Sequence, residues 1–321
     1  MMKLFHPDVF QGNLRKSGYF EGWYFKHVSP GLEHVLAFIP GVSLSKEDPH
    51  AFTQVIDGVS GQTWYMRYEL SDFSWNGNPF TVTVGRNRFS REGCTVRVSE
   101  NGLELEASLR YTDGKPFPGS LVSPGVMGPF AYIPFMECNH GVVSMHHNLE
   151  GSVSLNGSQI DFSEGSGYAE KDWGKSFPEA WIWLQCNNFA GSADTSFMLS
   201  IAKIPWLGRF FMGFLSFFYH KGKLYRFATY NGSKLQGVTF SGRKLELSLA
   251  GKSGRIDVSA FVRQTGELKA PDRGSMTRRI KESVDSEVEL VFSDRTGEEI
   301  FRGRGKRAGL EIIPPIIDLL T

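Results

Sequence analysis

The amino-acid sequence predicts an all-β protein of two barrel-like halves with little helix. Three observations lead there. Apolar and polar residues alternate with period two in Thr95–Ser99, Leu103–Ala107, Lys244–Leu249 and Ser286–Val291, the pattern of strands that bury one face. Turn pairs separate such runs, at Asn101-Gly102, Asp113-Gly114, Asn156-Gly157 and Asn231-Gly232, and these residue types accept the positive φ of tight hairpins. The 36 glycines suit a chain that turns this often.

Antiparallel hairpins at this density leave open edges, which closure into barrels removes. The hairpin around Asn156-Gly157 runs into Glu164-Gly165-Ser166-Gly167, a glycine-serine break near mid-chain. The boundary is therefore expected there, giving domains of residues 1–165 and 166–321, each of ordinary domain size. Two short stretches read as helix candidates, Met276–Val284 and Pro314–Asp318.

Composition narrows the function classes. With 40% hydrophobic and 21% charged residues the chain is globular rather than disordered. A net charge of +1 gives no reason to expect nucleic acid as a partner. Three dispersed cysteines, Cys94, Cys138 and Cys186, suit reduced thiols in a cytosol better than a disulfide framework. The start, MMKLFHPDVFQG, carries no signal- or transit-peptide pattern. A cytoplasmic protein is expected. The apolar run Ile204–Tyr219 is interrupted by Pro205 and Arg209 and falls short of the roughly 20 residues of a membrane span. It reads as a buried strand pair with a loop. The alternative is a greasy rim where a lipid-like ligand enters, with peripheral membrane contact through residues 204–219.

Several motifs fail. Ala169–Ser176 (AEKDWGKS) lacks the first glycine of a phosphate loop and carries Glu170 and Asp172, which repel phosphate. No G-x-S-x-G elbow and no H-E-x-x-H occur. Cys138, His140, His146 and His147 match no common zinc spacing. No metal and no cofactor are expected.

Three segments instead mix aromatic and polar groups. In Gly18–Lys26 (GYFEGWYFK), an extended chain puts Tyr19, Glu21, Trp23 and Phe25 on one face and Phe20, Tyr24 and Lys26 on the other. In Trp181–Phe189 (WIWLQCNNF), Trp181, Trp183, Gln185 and Asn187 share a face of indoles and carboxamides. In Tyr168–Trp173 (YAEKDW), Glu170 and Asp172 share a face. Each residue alone could fill a barrel interior or pair with a nearby cation. Together they have the form of a small-molecule site, an apolar cavity with a few convergent polar groups.

At these residues the sequence resembles the tocopherol cyclase family. The matching stretches are residues 6–12, 17–26, 134–147, 167–189, 204–232 and 276–283, in order along the chain. EGWYFK and EKDWGxxFPxxWxWxQ are the most specific of them. The resemblance implies two lipocalin-like (calycin-like) antiparallel β-barrels packed together. It also implies a chemistry, the closure of a prenylated hydroquinone onto its own side-chain double bond to give a chromanol. Related two-barrel proteins hydrate carotenoid double bonds or steer cycloadditions, so fold alone does not fix the reaction. The missing plastid transit region points to a bacterial source.

Such a closure needs a protonated acid, and burial among aromatic rings disfavours a charged carboxylate. Asp172 is the first choice for proton donor, followed by Glu170 and Glu21. Trp23, Tyr24, Trp173, Trp181 and Trp183 would form the aromatic walls, the indoles facing the cation. Gln185, Asn187 and His146 would hydrogen-bond the hydroquinone. The expected partner is a lipophilic small molecule, with no obligate protein partner. A non-catalytic carrier of a quinone or terpenoid, and an alkene hydratase, are the rival readings.

Overall fold

The computed structural model describes residues 3–320. The first of two antiparallel sheets contains β1 (Tyr19–Val28), β2 (Val35–Leu44), β3 (Pro49–Asp57), β4 (Thr63–Tyr68), β5 (Phe73–Gly77), β6 (Phe80–Val84), β7 (Asn87–Ser90), β8 (Gly93–Glu100), β9 (Leu103–Thr112), β10 (Cys138–Leu155), β11 (Ser158–Asp161) and β12 (Ser166–Gly174). Their order is β4-β3-β2-β1-β12-β10-β9-β8-β7-β6-β5, with β11 beside β10. The second sheet contains β13 (Trp181–Cys186), β14 (Thr195–Trp206), β15 (Arg209–His220), β16 (Lys223–Ala228), β17 (Lys234–Ser241), β18 (Lys244–Gly251), β19 (Gly254–Phe261), β20 (Gly266–Asp272), β21 (Ser275–Ser293) and β22 (Glu299–Ile313). Its order is β16-β15-β14-β13-β22-β21-β19-β18-β17, with β20 beside β21. One short helix, α1 (Ile316–Leu320), follows β22. The all-β plan stands as the alternation predicts, and its two curled sheets agree with the lipocalin-like fold that the resemblance implies.

Each sheet curls over its own core. In the first, Asn87 on β7 donates to Tyr68 Oη on β4 at 3.1 Å, so strands far apart in the sheet order meet across the interior. Trp23, Phe25, Phe38, Phe73, Phe80 and Phe89 belong to one buried cluster there. In the second, Phe218 on β15 meets Phe292 on β21, ring centres 5.3 Å apart.

Four expectations are corrected. The compact units divide at 177/178, not at 165, and Glu267–Ile280 returns to the first unit. The glycine-serine break is only the entry to β12, which pairs with β1 and β10. Met276–Val284 is part of β21, not a helix. Its buried Met276, Ile280 and Val284 fit a helix by spacing, but they continue an every-second-residue pattern through Ser286, Val288 and Leu290. Asp113-Gly114 opens the long connection between the paired strands β9 and β10 and is not a tight hairpin turn, and Asn231-Gly232 lies between β16 and β17, which do not pair. Asn101-Gly102 and Asn156-Gly157 are tight turns between paired strands, each with both φ angles positive. The run 204–219 is a strand pair, β14 and β15, as expected, though residues 205–210 at its turn are exposed. Among the described residues no helix is long and apolar enough to cross a membrane.

Candidate functional site

Strand β12 has partners on both edges, β1 and β10, and its side chains alternate between the two faces of the sheet. Lys171 and Trp173 point into the core of the first unit, where Trp23 and Trp173 pack. Tyr168, Glu170 and Asp172 take the other face.

On the inner face Lys171 and Glu21, both fully buried, form an ion pair. Glu21 also accepts from Gln11 N at 2.7 Å, Gly12 N at 2.9 Å and Tyr19 Oη at 2.5 Å. Lys171 donates to Val9 O and lies over the rings of Trp23 (4.7 Å) and Trp173 (4.9 Å). Trp23 Nε1 donates to Asp8 O at 2.6 Å. The segment 6–12 is thus tied down by its main chain to Glu21, Trp23 and Lys171. A carboxylate with donors on both oxygens is an acceptor and has no proton to deliver. Glu21 therefore holds structure and is not a donor for catalysis, a correction to its expected role.

On the outer face His140 of β10 stands in register with Asp172. Its Nδ1 is 2.9 Å from Asp172 Oδ1, and its Nε2 is 3.3 Å from Glu170 Oε2. The second contact is a charge contact without good hydrogen-bond direction, since Nε2 has no directed partner. Burial alone would push the imidazole's pKa down, but Glu170 and Asp172 outweigh it and hold it well above the usual histidine range. Tyr168 Oη donates to Glu170 Oε2 at 2.6 Å. Burial, then the Glu170 charge, pushes that phenol well up. Burial, then Asp172, does the same to the Cys138 thiol. His140 is therefore held protonated at neutral pH and Tyr168 and Cys138 neutral, around the carboxyl groups of Glu170 and Asp172.

Asp172 is the accessible member, its side chain 25% exposed against 5% for Glu170. Its register partner on β1 is Gly22, which leaves that flank without a side chain. A cleft of about 170 Å³ reaches His140, walled by Gln11, Pro124, Met127, Asn139 and Trp173. Whole drug-sized ligands occupy roughly 300 Å³ or more, so this cleft holds a ring or a short branch.

His140, Glu170 and Asp172 each offer a ligand atom, all within 4.8 Å of one another. The set could hold a divalent cation. In this structure the imidazole of His140 already bridges the two carboxyl groups.

The remaining expected residues fall elsewhere. Tyr24 is in register with Glu170. His146 approaches Asn148 Oδ1 at 3.3 Å and takes no part in the cluster. Trp23 and Trp173 lie on the inner face, so Trp173 does not share a face with its neighbour Asp172. Trp181, Trp183, Gln185 and Asn187 belong to the second unit, and all four are buried. Trp181 Nε1 donates to Glu311, and Gln185 Nε2 donates to Asn187 Oδ1 at 3.2 Å. The alternate residues Ile182, Leu184 and Cys186 fill that unit's core. In the ladder Trp183 neighbours Glu311, which neighbours Glu282. Sequence reasoning missed that pair of glutamates, and it missed His140 and Tyr168 as partners of the acids. His140 lies in the 134–147 stretch, but nothing local pairs it with a residue 32 positions away.

The chain is 28% identical over 185 residues to a probable chloroplastic tocopherol cyclase of Oryza sativa subsp. japonica, covering 56% of this chain and 38% of that one. It is 24% identical over 196 residues to the chloroplastic tocopherol cyclase of Zea mays, covering 58% and 41%. The matches thus span only about two fifths of these relatives' length. In fold it is similar to CghA in complex with Sch210972 (TM-score 0.60, 11% identity, 92% of this chain and 88% of that one). It is also similar to kievitone hydratase from Nectria haematococca (TM-score 0.52, 10% identity, 91% and 88%). The tocopherol cyclase-like family model matches residues 119–313, more than half of the sequence, and takes in His140, Glu170, Asp172 and the Trp181–Asn187 wall; the chain belongs to that family.

Proposed function

We propose that this protein closes a prenylated hydroquinone onto its own side-chain double bond, with Asp172 as proton donor and His140 as its charge partner. The observation that carries this is the 2.9 Å contact between Asp172 Oδ1 and His140 Nδ1 at the accessible edge of a buried ion cluster. Protonated Asp172 gives its proton to the less substituted alkene carbon. A C–H bond forms, the π bond breaks, and a tertiary cation results. The phenol oxygen attacks that cation, a C–O bond forms, and the phenolic proton returns to the Asp172 carboxylate. The sum is an isomerisation that consumes no oxidant, reductant or water.

His140 matters because the carboxylate left after proton release faces an imidazolium already in place. Preorganised charge of this kind is a large term in catalysis. Glu170 keeps the imidazole charged, and Tyr168 in turn holds Glu170.

The test is turnover of a prenylated hydroquinone in D₂O, followed by mass spectrometry. The cyclase reading expects a product that carries one carbon-bound deuterium at the carbon next to the new C–O carbon. Unchanged substrate would mean a carrier, and a product heavier by one water would mean a hydratase. Prior dialysis against EDTA should leave the rate unchanged. Loss of activity that a divalent cation restores would replace the proton donor with a metal at the same three residues.

A further inference from the structure

Among the described residues five tight turns place a non-glycine residue and then a glycine at positive φ; the turn between β14 and β15 puts an apolar residue first, where Lys221-Gly222 and Arg273-Gly274 put a charged one. The two central residues of the β14–β15 turn are Leu207 (φ 48°) and Gly208 (φ 78°). The comparable turns Asn101-Gly102 and Asn156-Gly157 place asparagine at the first left-handed position. Asparagine is tolerated there because its short polar side chain bonds locally, whereas leucine is strained. Leu207 is also 83% exposed, so packing within the chain does not compensate for the strain. Trp206 and Phe210 beside it are 36% and 49% exposed.

The turn also stands clear of its sheet. β13 pairs with β14 only as far as Ala202, and β16 pairs with β15 only from Leu215. The ribbon still pairs with itself from Lys203↔Met212 to Trp206↔Arg209. Lys203 N still donates to Ala180 O at 3.0 Å, but the three pairs beyond it have no ladder neighbour on either side and reach about 10 Å at the rise of an extended strand. Arg209 is exposed at the turn, while Lys203, already paired with Glu179, lies with its Nζ 4.7 Å from the centre of the Phe210 ring.

We infer that this tip is a membrane-surface anchor, which puts Trp206, Leu207 and Phe210 into the headgroup region of a bilayer bearing anionic lipid. Tryptophan favours that boundary, and basic residues beside an apolar tip are drawn to anionic headgroups. A convex two-residue turn fits a fluid surface. It is too small for a protein partner, since a stable protein interface takes about 800 Å² from each side. The inference stands apart from the reaction proposed above and needs no substrate to test.

The test is co-sedimentation of the full chain with vesicles of phosphatidylcholine alone or mixed with phosphatidylglycerol. The protein should sediment with the mixed vesicles and less with phosphatidylcholine alone. Leu207→Asp should cut the partition at least about tenfold, as expected when a side chain loses its burial in lipid. Leu207→Asn should do likewise while Tm holds or rises, because asparagine suits the turn. No sedimentation with either vesicle, or full binding by Leu207→Asn, would overturn the inference. So would a Tm several degrees lower in Leu207→Asn, which would show that the leucine packs against the protein. A dimer by light scattering that Leu207→Asp converts to monomer would assign the tip to a second copy of the chain instead.

Discussion

Lys171 and Asp172 are neighbours in the chain and serve opposite faces of one strand. Lys171 pairs with Glu21 inside the curled sheet, where neither side chain is exposed. Asp172 pairs with His140 on the other face, where a quarter of its side chain is exposed. One residue of β12 thus locks the inner face of the sheet, and the next presents a carboxyl group on the outer one. The strand's most specific sequence motif is a composite of two duties.

The inner pair should behave as a structural lock. Removing one partner of a buried ion pair leaves an uncompensated charge and costs about 3–5 kcal/mol. Glu21→Gln and Lys171→Met should each show a loss of that order in urea unfolding. The double variant should lose less than the sum, because neither charge is then left alone. Additive losses would mean that the two groups act independently.

Acid should destabilise the first unit through its buried histidines. His27 bonds Tyr111 Oη at 2.6 Å, and burial pushes its pKa down to about 3. His147 is pushed well below the usual range, by burial first and then by His27. Both are neutral when folded, while the unfolded chain binds protons below about pH 6.5. Their stabilisation is therefore complete above pH 6.5 and lost as the pH falls towards 3. His140 has the opposite sign. Its folded pKa is raised, so its contribution is complete below about pH 6.5 and is lost only as pH rises through the folded value. Between pH 6.5 and 4, His27 alone should remove about 3 kcal/mol. Thermal melts should show that fall in the wild type and a shallower one in His27→Gln.

The strands were legible because alternation reports one buried face directly. The four alternating runs all lie within strands, in β8, β9, β18 and β21. The sharing of a face by Glu170 and Asp172 was legible for the same reason. Which face met which neighbour was not. A period of two separates Lys171 from Asp172 but does not say which points inward, and both segments carry aromatics on each side. The His140–Asp172 register was hidden by two irregularities in β10, between Val142 and Ser144 and between Ser144 and His147. The return of Glu267–Ile280 to the first unit left no mark either. Its bonds are long-range, such as Ser43 Oγ to Gly274 O at 2.7 Å and Lys269 N to Gln54 Oε1 at 2.9 Å.

Gly22 should govern access to Asp172. It sits in register with Asp172, and a Cβ built there meets nothing closer than Phe52 at 3.8 Å. Gly22→Val should fold with unchanged or higher Tm, since valine suits a strand better than glycine. It should raise KM for a prenylated hydroquinone, because the branched side chain occupies the open flank. Unchanged KM in a well-folded variant would place the substrate elsewhere.

Asp172 and His140 should separate by kinetics. Asp172→Asn keeps the shape and a hydrogen bond to His140 but removes the transferable proton. Turnover should fall about 100-fold or more, the scale of lost general acid catalysis. Binding of the same compound should change little, because apolar contacts supply most of the affinity. His140→Gln should retain the Asp172 proton but remove the cation that favours its release, so turnover falls. Trp183→Phe preserves an aromatic face and should cost less than either. If Asp172 only braces β12, Asp172→Asn would lower Tm while its folded fraction kept full specific activity. Melting temperature and turnover measured on the same preparations tell the two roles apart, and full activity in a stable Asp172→Asn protein would transfer the proton to Glu170, the other carboxylate on that imidazole.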